Sequence, residues 1–182
     1  MYDCYVGLQM WILGNPIKIE NAEYCKERAI YVCNHASPID IFLIMWLTPT
    51  GTVGIAKKEI IFYPLFGQLY VLANHLRINR SNPTAAIESM KKAARAVVDN
   101  NLSLIIFPEG TRSQNGRLLP FKKGFVHLAL ETRLPIVPII FTGTHLAWRK
   151  GSFCMYAQLP SPSSFFLRSV LMIGRLTKPG TM

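Results

Sequence analysis

Short apolar runs alternate along the chain with longer segments of helical period. Residues 29–33 (AIYVC) form a β-branched and aromatic run of the kind a buried strand shows. It stops at Asn34-His35. Ser37-Pro38-Ile39-Asp40 then reads as a helix start, with Ser at the cap, Pro at the first helical position and an acid three residues after the cap. A helix is predicted through IFLIMWL, ending near residues 48–51. Residues 52–56 predict a second strand, and Pro64 and Gly67 break residues 57–70 into short helical pieces. Asn82-Pro83 opens the clearest amphipathic helix, with Ile87, Met90, Ala94, Val97 and Val98 on one face and an i,i+4 pair, Glu88 and Lys92, on the other. Residues 102–107 (LSLIIF) predict a third strand, 108–111 a turn, 124–131 a short helix and 136–142 a fourth strand. Alternation of this kind predicts an α/β fold, a mostly parallel sheet flanked by helices in a single domain.

Composition narrows the setting. The chain has 182 residues, half of them hydrophobic and 16% charged, which excludes intrinsic disorder. No apolar run approaches the ~20 residues of a membrane span. The net charge of +10 at pH 7 points to anionic partners: nucleic acid, phosphorylated metabolites or a membrane surface. No recognition helix, zinc finger or aromatic-bearing RNA sheet is present, so nucleic acid is not expected. Cys4, Cys25, Cys33 and Cys154 form no CxxC pair and no metal-ligand spacing, and read as reduced thiols. The nucleophile elbow, the P-loop, the dinucleotide fingerprint and the zinc-protease helix motif are all absent from the sequence.

Two loops could carry chemistry. In Asn34-His35-Ala36-Ser37-Pro38-Ile39-Asp40 the spacing can bring the carboxylate of Asp40 to an imidazole nitrogen of His35, and the helix N-terminus favours a negative charge there. His35 would then be a general base with its orienting acid, lacking a protein nucleophile. The plainer reading leaves Asp40 as a cap and His35 as a polar loop residue. The second loop, Phe107-Pro108-Glu109-Gly110-Thr111-Arg112-Ser113, follows a strand, where open α/β sheets place ligands. Backbone N–H groups near Gly110 and the fork of Arg112 suit a phosphate, whereas a solvated turn is the plainer reading. Basic residues accumulate around it: Arg117, Lys122, Lys123, Arg133, Arg149 and Lys150, with Lys57, Lys58, Arg77 and Arg80 near other strand ends.

Together, in this order, the loops resemble the glycerolipid acyltransferase family. Its N-H-x-x-x-x-D box matches residues 34–40 and its Arg-containing second motif residues 67–80. Its F-P-E-G-T-R-S box matches residues 107–113 and its V-P motif residues 134–139. The wording around the first and third boxes is similar to the 1-acylglycerol-3-phosphate acyltransferase branch, of plant microsomal type. The resemblance implies a glycerol-3-phosphate acyltransferase-like fold and transfer of an acyl group from acyl-CoA to the sn-2 hydroxyl of lysophosphatidic acid, giving phosphatidic acid. Acceptors such as glycerol 3-phosphate or another lysophospholipid, and an inactive membrane-binding isoform, are the alternatives. It assigns His35 as general base, oriented by Asp40, and Glu109, Gly110, Thr111 and Arg112, with Arg80, Lys57 and Lys58, to substrate binding. Glu109 is expected to orient Arg112. Backbone N–H groups at Asn34 and Ser37 are the oxyanion candidates. Acyl-CoA enters as co-substrate; no further cofactor and no metal are implied.

The apolar stretch 60–72 and the basic surface suit a monotopic enzyme on the cytosolic face of a membrane, the endoplasmic reticulum being expected; buried core is the plainer reading of that stretch. Residues 1–15 read as an apolar, membrane-associated remnant, 16–150 as the acyltransferase domain, and 151–182 as a divergent or truncated, poorly ordered tail. Asn79 stands where the family's second motif commonly has an acid.

Overall fold

The computed structural model describes residues 17–62, 66–78, 82–148 and 169–173. Seven strands form one sheet in the order β1-β7-β6-β2-β5-β3-β4. The strands are β1 (Ile17–Ile19), β2 (Ile30–Cys33), β3 (Thr52–Lys57), β4 (Leu76–Ile78), β5 (Ser103–Ile106), β6 (Ile136–Ile140) and β7 (Ser169–Ile173). The five strands from β6 to β4 are parallel to one another, and the β6–β7 pair is antiparallel. The α/β expectation therefore holds, and the four expected strands are β2, β3, β5 and β6. The other three could not be read locally. β1 and β4 have three residues each, too few to show a period, and β7 earns its place only by pairing with β1 and β6. β7 falls within 151–182, so the sheet extends into the segment expected to be a tail. The remainder of that segment, and residues 1–15, lie outside the described residues.

Helices α1 (Ile39–Leu47), α2 (Phe66–Leu72), α3 (Pro83–Asp99), α4 (Gly124–Thr132) and α5 (Thr144–Ala147) accompany the strands, with 3-10 turns at Ala22–Lys26 and Lys58–Phe62. A parallel sheet covered on both faces needs apolar side chains on both sides of each strand, and β2 supplies them. Tyr31 and Cys33 join Leu43 and Ile44 of α1, while Ile30 and Val32 join Ala93, Ala94 and Val97 of α3. Burying a Leu or Ile side chain contributes about 1.5–3 kcal/mol, so these two clusters hold the strand ends beneath the site. The buried stripe of α3 is narrower than its sequence pattern: Ile87 and Val98 are half exposed and mark the edges of the face, whose centre is Ala93, Ala94 and Val97. Asn82 caps α3 as expected, its side chain accepting from the Ala85 N–H at 2.7 Å, and Glu88 pairs with Lys92 at 3.3 Å.

Candidate active site

β2 ends at Cys33, and the chain turns through Asn34–Ser37 before Pro38 starts α1. The turn is tied on every side. Asn34 is buried; its amide donates to the Phe141 carbonyl at 2.8 Å and its oxygen accepts from the Phe141 N–H at 2.7 Å. The Ser37 hydroxyl donates to the Trp148 carbonyl at 2.7 Å. Asp40, on the first turn of α1, is fully buried. Its Oδ2 lies 3.0 Å from His35 Nδ1 and accepts from the Ala36 and Ser37 N–H groups, both at 2.7 Å. Of the two sequence readings, the paired one is the geometry found. The same oxygen also ties down the turn that leads into α1; the cap position there is Pro38, without a side-chain cap bond, where the sequence pattern put Ser37.

The second loop closes on the first. Glu109 is buried, with Oε1 accepting from the His35 N–H at 2.8 Å and Oε2 from the Leu119 N–H at 3.0 Å. The Ser113 N–H donates to the His35 carbonyl at 2.8 Å. The His35 ring stacks on Phe107, with centroids 4.2 Å apart. Glu109 thus orients the turn that carries His35, where the sequence reading had it orienting Arg112. The N–H groups of His35, Ala36 and Ser37 are all committed to carboxylates, so the expectation that Ser37 supplies an oxyanion donor is corrected. A buried carboxylate without donors is costly, and the backbone N–H groups nearest to Asp40 and Glu109 meet that need first.

His35 opens onto a cavity of about 650 Å³. Its charged rim includes Lys57 and Arg112, and Ile44, Met45, Ile55, Ile105 and Trp148 make up much of its apolar wall. Gly110 lines it as well, in the left-handed conformation at φ 69°. Thr111 and Lys58 are exposed and do not line it, and Arg80 lies outside the described residues. The structure adds a residue that no sequence pattern indicated. His75, just before β4, is buried, lines the cavity and accepts from the Gly54 N–H through Nδ1 at 2.9 Å, with its ring 4.4 Å from that of Tyr70. Burial lowers its pKa below the ordinary 6.5. Burial also pushes the Cys25 thiol up to about 11 and the Cys33 thiol well above its usual range, so neither suits a thiolate role.

The structure thus sets a histidine–carboxylate pair at the strand ends beside a largely apolar cavity whose charged lining residues are Lys57, Glu59 and Arg112. The chain belongs to the acyltransferase family, whose model matches residues 16–142, both loops included. It is 78% identical over 143 residues to a 1-acyl-sn-glycerol-3-phosphate acyltransferase of Cocos nucifera, covering 79% of this chain and 46% of that protein. It is 71% identical over 147 residues to the enzyme of the same name from Limnanthes douglasii, covering 81% and 52%. The crystal structure of the 1-acyl-sn-glycerophosphate (LPA) acyltransferase PlsC from Thermotoga maritima superposes with a TM-score of 0.67 at 26% identity, covering 94% of this chain and 68% of that one. The chain spans about half the length of the curated relatives it matches.

Proposed function

We propose that this chain carries the catalytic machinery for acyl transfer from acyl-CoA to the free sn-2 hydroxyl of lysophosphatidic acid, yielding phosphatidic acid and free CoA. The observation that carries the reading is the His35–Asp40 pair at 3.0 Å on the wall of a cavity that also holds Arg112 and Lys57. With Nδ1 held by Asp40, Nε2 of His35 is left to take the acceptor's hydroxyl proton. The hydroxyl oxygen attacks the thioester carbonyl carbon, a C–O bond forms, the C–S bond breaks, and the proton passes from Nε2 to the departing thiolate. A positioned base of this kind contributes about 10²–10⁴-fold. Arg112, with Lys57, meets the phosphomonoester of the acceptor, and Glu109 and Gly110 shape the loop that presents Arg112. Acyl-CoA serves as co-substrate, and the bond exchange balances without a further cofactor.

The reading includes a membrane-bound setting, on the cytosolic face of the endoplasmic reticulum. No helix among the described residues is long and apolar enough to cross a membrane. Phe42 and Met45 of α1, which line the cavity, are nevertheless half exposed, and Phe62 of the second 3-10 turn and Leu72 of α2 are exposed at 78% and 79%. Water-exposed apolar groups beside basic ones suit an anionic lipid surface, which is also where both substrates reside.

The test is phosphatidic acid formation from labelled acyl-CoA and lysophosphatidic acid, wild type beside His35→Ala. Activity lost in the variant, with fold and vesicle binding kept, is the expected result. Undiminished activity in the variant removes His35 as the base, and no product from folded wild-type protein removes the reaction.

A further inference from the structure

Lys122 lies in the basic stretch that follows the second loop, and no role above uses it. Its side chain is laid over Gly110: a Cβ built on that glycine would meet Lys122 Nζ at 2.9 Å, Cε at 3.1 Å and Cδ at 3.2 Å. Lys122 is tied to the same turn through its backbone, its N–H donating to the Pro108 carbonyl at 2.9 Å. Among the described residues no carboxylate lies within ion-pair distance of the ammonium.

The position matters because Gly110 is a shared wall. It lines the cavity of His35, Lys57 and Arg112, and it lines a second cavity of about 400 Å³ in which Lys122 is the charged residue. The two cavities also share Ile55 and Phe107, and the rest of the second is largely apolar, with Ile78, Met90 and Phe125 among its walls. An ammonium held over a residue without a side chain, next to the loop bearing Arg112 and against an apolar surface, matches an amphiphile whose phosphate sits between two cations. We propose that Lys122 is a phosphate-binding residue at the junction of the two cavities, acting with Arg112 across Gly110 on the phosphomonoester of the lysophospholipid acceptor. The inference rests on the acyl-transfer reading and adds to it a residue and a second cavity.

Phosphate also occurs on the donor, so the test separates the two sources. KM for lysophosphatidic acid, KM for acyl-CoA and kcat are measured for the full chain, wild type, Lys122→Met, Lys122→Gln and Lys122→Arg. Loss of one charge-assisted hydrogen bond at a partly solvated site should raise KM for lysophosphatidic acid about tenfold in the two neutral variants. Lys122→Arg should stay within about threefold of wild type, with kcat and KM for acyl-CoA little changed. A rise confined to KM for acyl-CoA, absent when an acyl thioester without nucleotide phosphates is the donor, would overturn the assignment to the acceptor and move Lys122 to the donor. Unchanged KM values in a folded neutral variant overturn the proposal. Failure of both neutral variants to fold does so too, making Lys122 a brace for the Gly110 turn. The shift in thermal midpoint on adding lysophosphatidic acid, smaller in Lys122→Met than in wild type, reads the residue without turnover. A wild type that binds the acceptor but makes no product would therefore count against the reaction and leave Lys122 judged on binding.

Discussion

Asp40 holds His35 through one oxygen, Oδ2, which lies 3.0 Å from the ring nitrogen Nδ1 and also accepts the N–H groups of Ala36 and Ser37 at 2.7 Å. The carboxylate is therefore both the partner of the imidazole and the staple of the turn that carries it. Asp40→Asn keeps the shape and removes the charge opposite the imidazolium that forms on proton transfer. The expected outcome is a fall in kcat of about 10²–10⁴-fold with little change in KM. Steady-state kinetics at saturating acyl-CoA measure it, and retention of more than half of kcat would show the charge to be dispensable.

Glu109 spans the two loops, taking the His35 N–H on one oxygen and the Leu119 N–H on the other. Glu109→Gln turns one acceptor into a donor facing an N–H. Stability should fall by about 1–3 kcal/mol, the range for a buried donor left without its partner. The midpoint of urea unfolding gives the value, and activity should fall with it because His35 loses its backbone anchor.

Arg112, on the cavity wall, has a fork suited to two phosphate oxygens. Arg112→Ala should raise KM for lysophosphatidic acid by about ten- to a hundredfold while leaving KM for acyl-CoA near its wild-type value. An unaltered acceptor KM would place the phosphate elsewhere in the cavity.

His75 makes stability depend on pH. Burial lowers its folded pKa below 6.5, and protonation would break the acceptance from the Gly54 N–H. Above pH 6.5 folded and unfolded forms are both neutral and its contribution is complete. As pH falls below 6.5 the unfolded chain takes up the proton first, so stability declines until the folded pKa is also passed. His75→Asn retains an acceptor without the titration. The thermal midpoint between pH 7.5 and 5 should drop further in wild type than in this variant, and parallel curves would rule His75 out as the source.

Helices α1, α3 and α4, strands β2, β3, β5 and β6, and the pairing open to His35 and Asp40 were legible in the sequence because each rests on local rules, whereas the four-residue α5 was not expected. The Asn82 cap of α3, the continuous apolar runs of β2 and β5, and the five-residue reach across a helix start are all short-range. β1, β4 and β7 were not legible, since three-residue strands and a strand recruited from far along the chain are decided by which backbone edge they meet. The direction of Glu109 was misread for a related reason: Arg112 is three residues away in sequence, but His35, seventy-four residues away, offers its N–H directly to the carboxylate.

What the sequence determined by itself was therefore the chemistry on offer: an imidazole, an acid on the first turn of α1, a phosphate-suited loop after β5 and a surplus of positive charge. What only the tertiary structure decided was which groups share a space. Burial brought His75 into the cavity, spent the N–H groups of the first turn on Asp40 and Glu109, and laid Lys122 over Gly110. Buried carboxylates take the nearest donors, and a glycine, having no Cβ, lets a neighbour come close. Both outcomes depend on distances that no local pattern encodes.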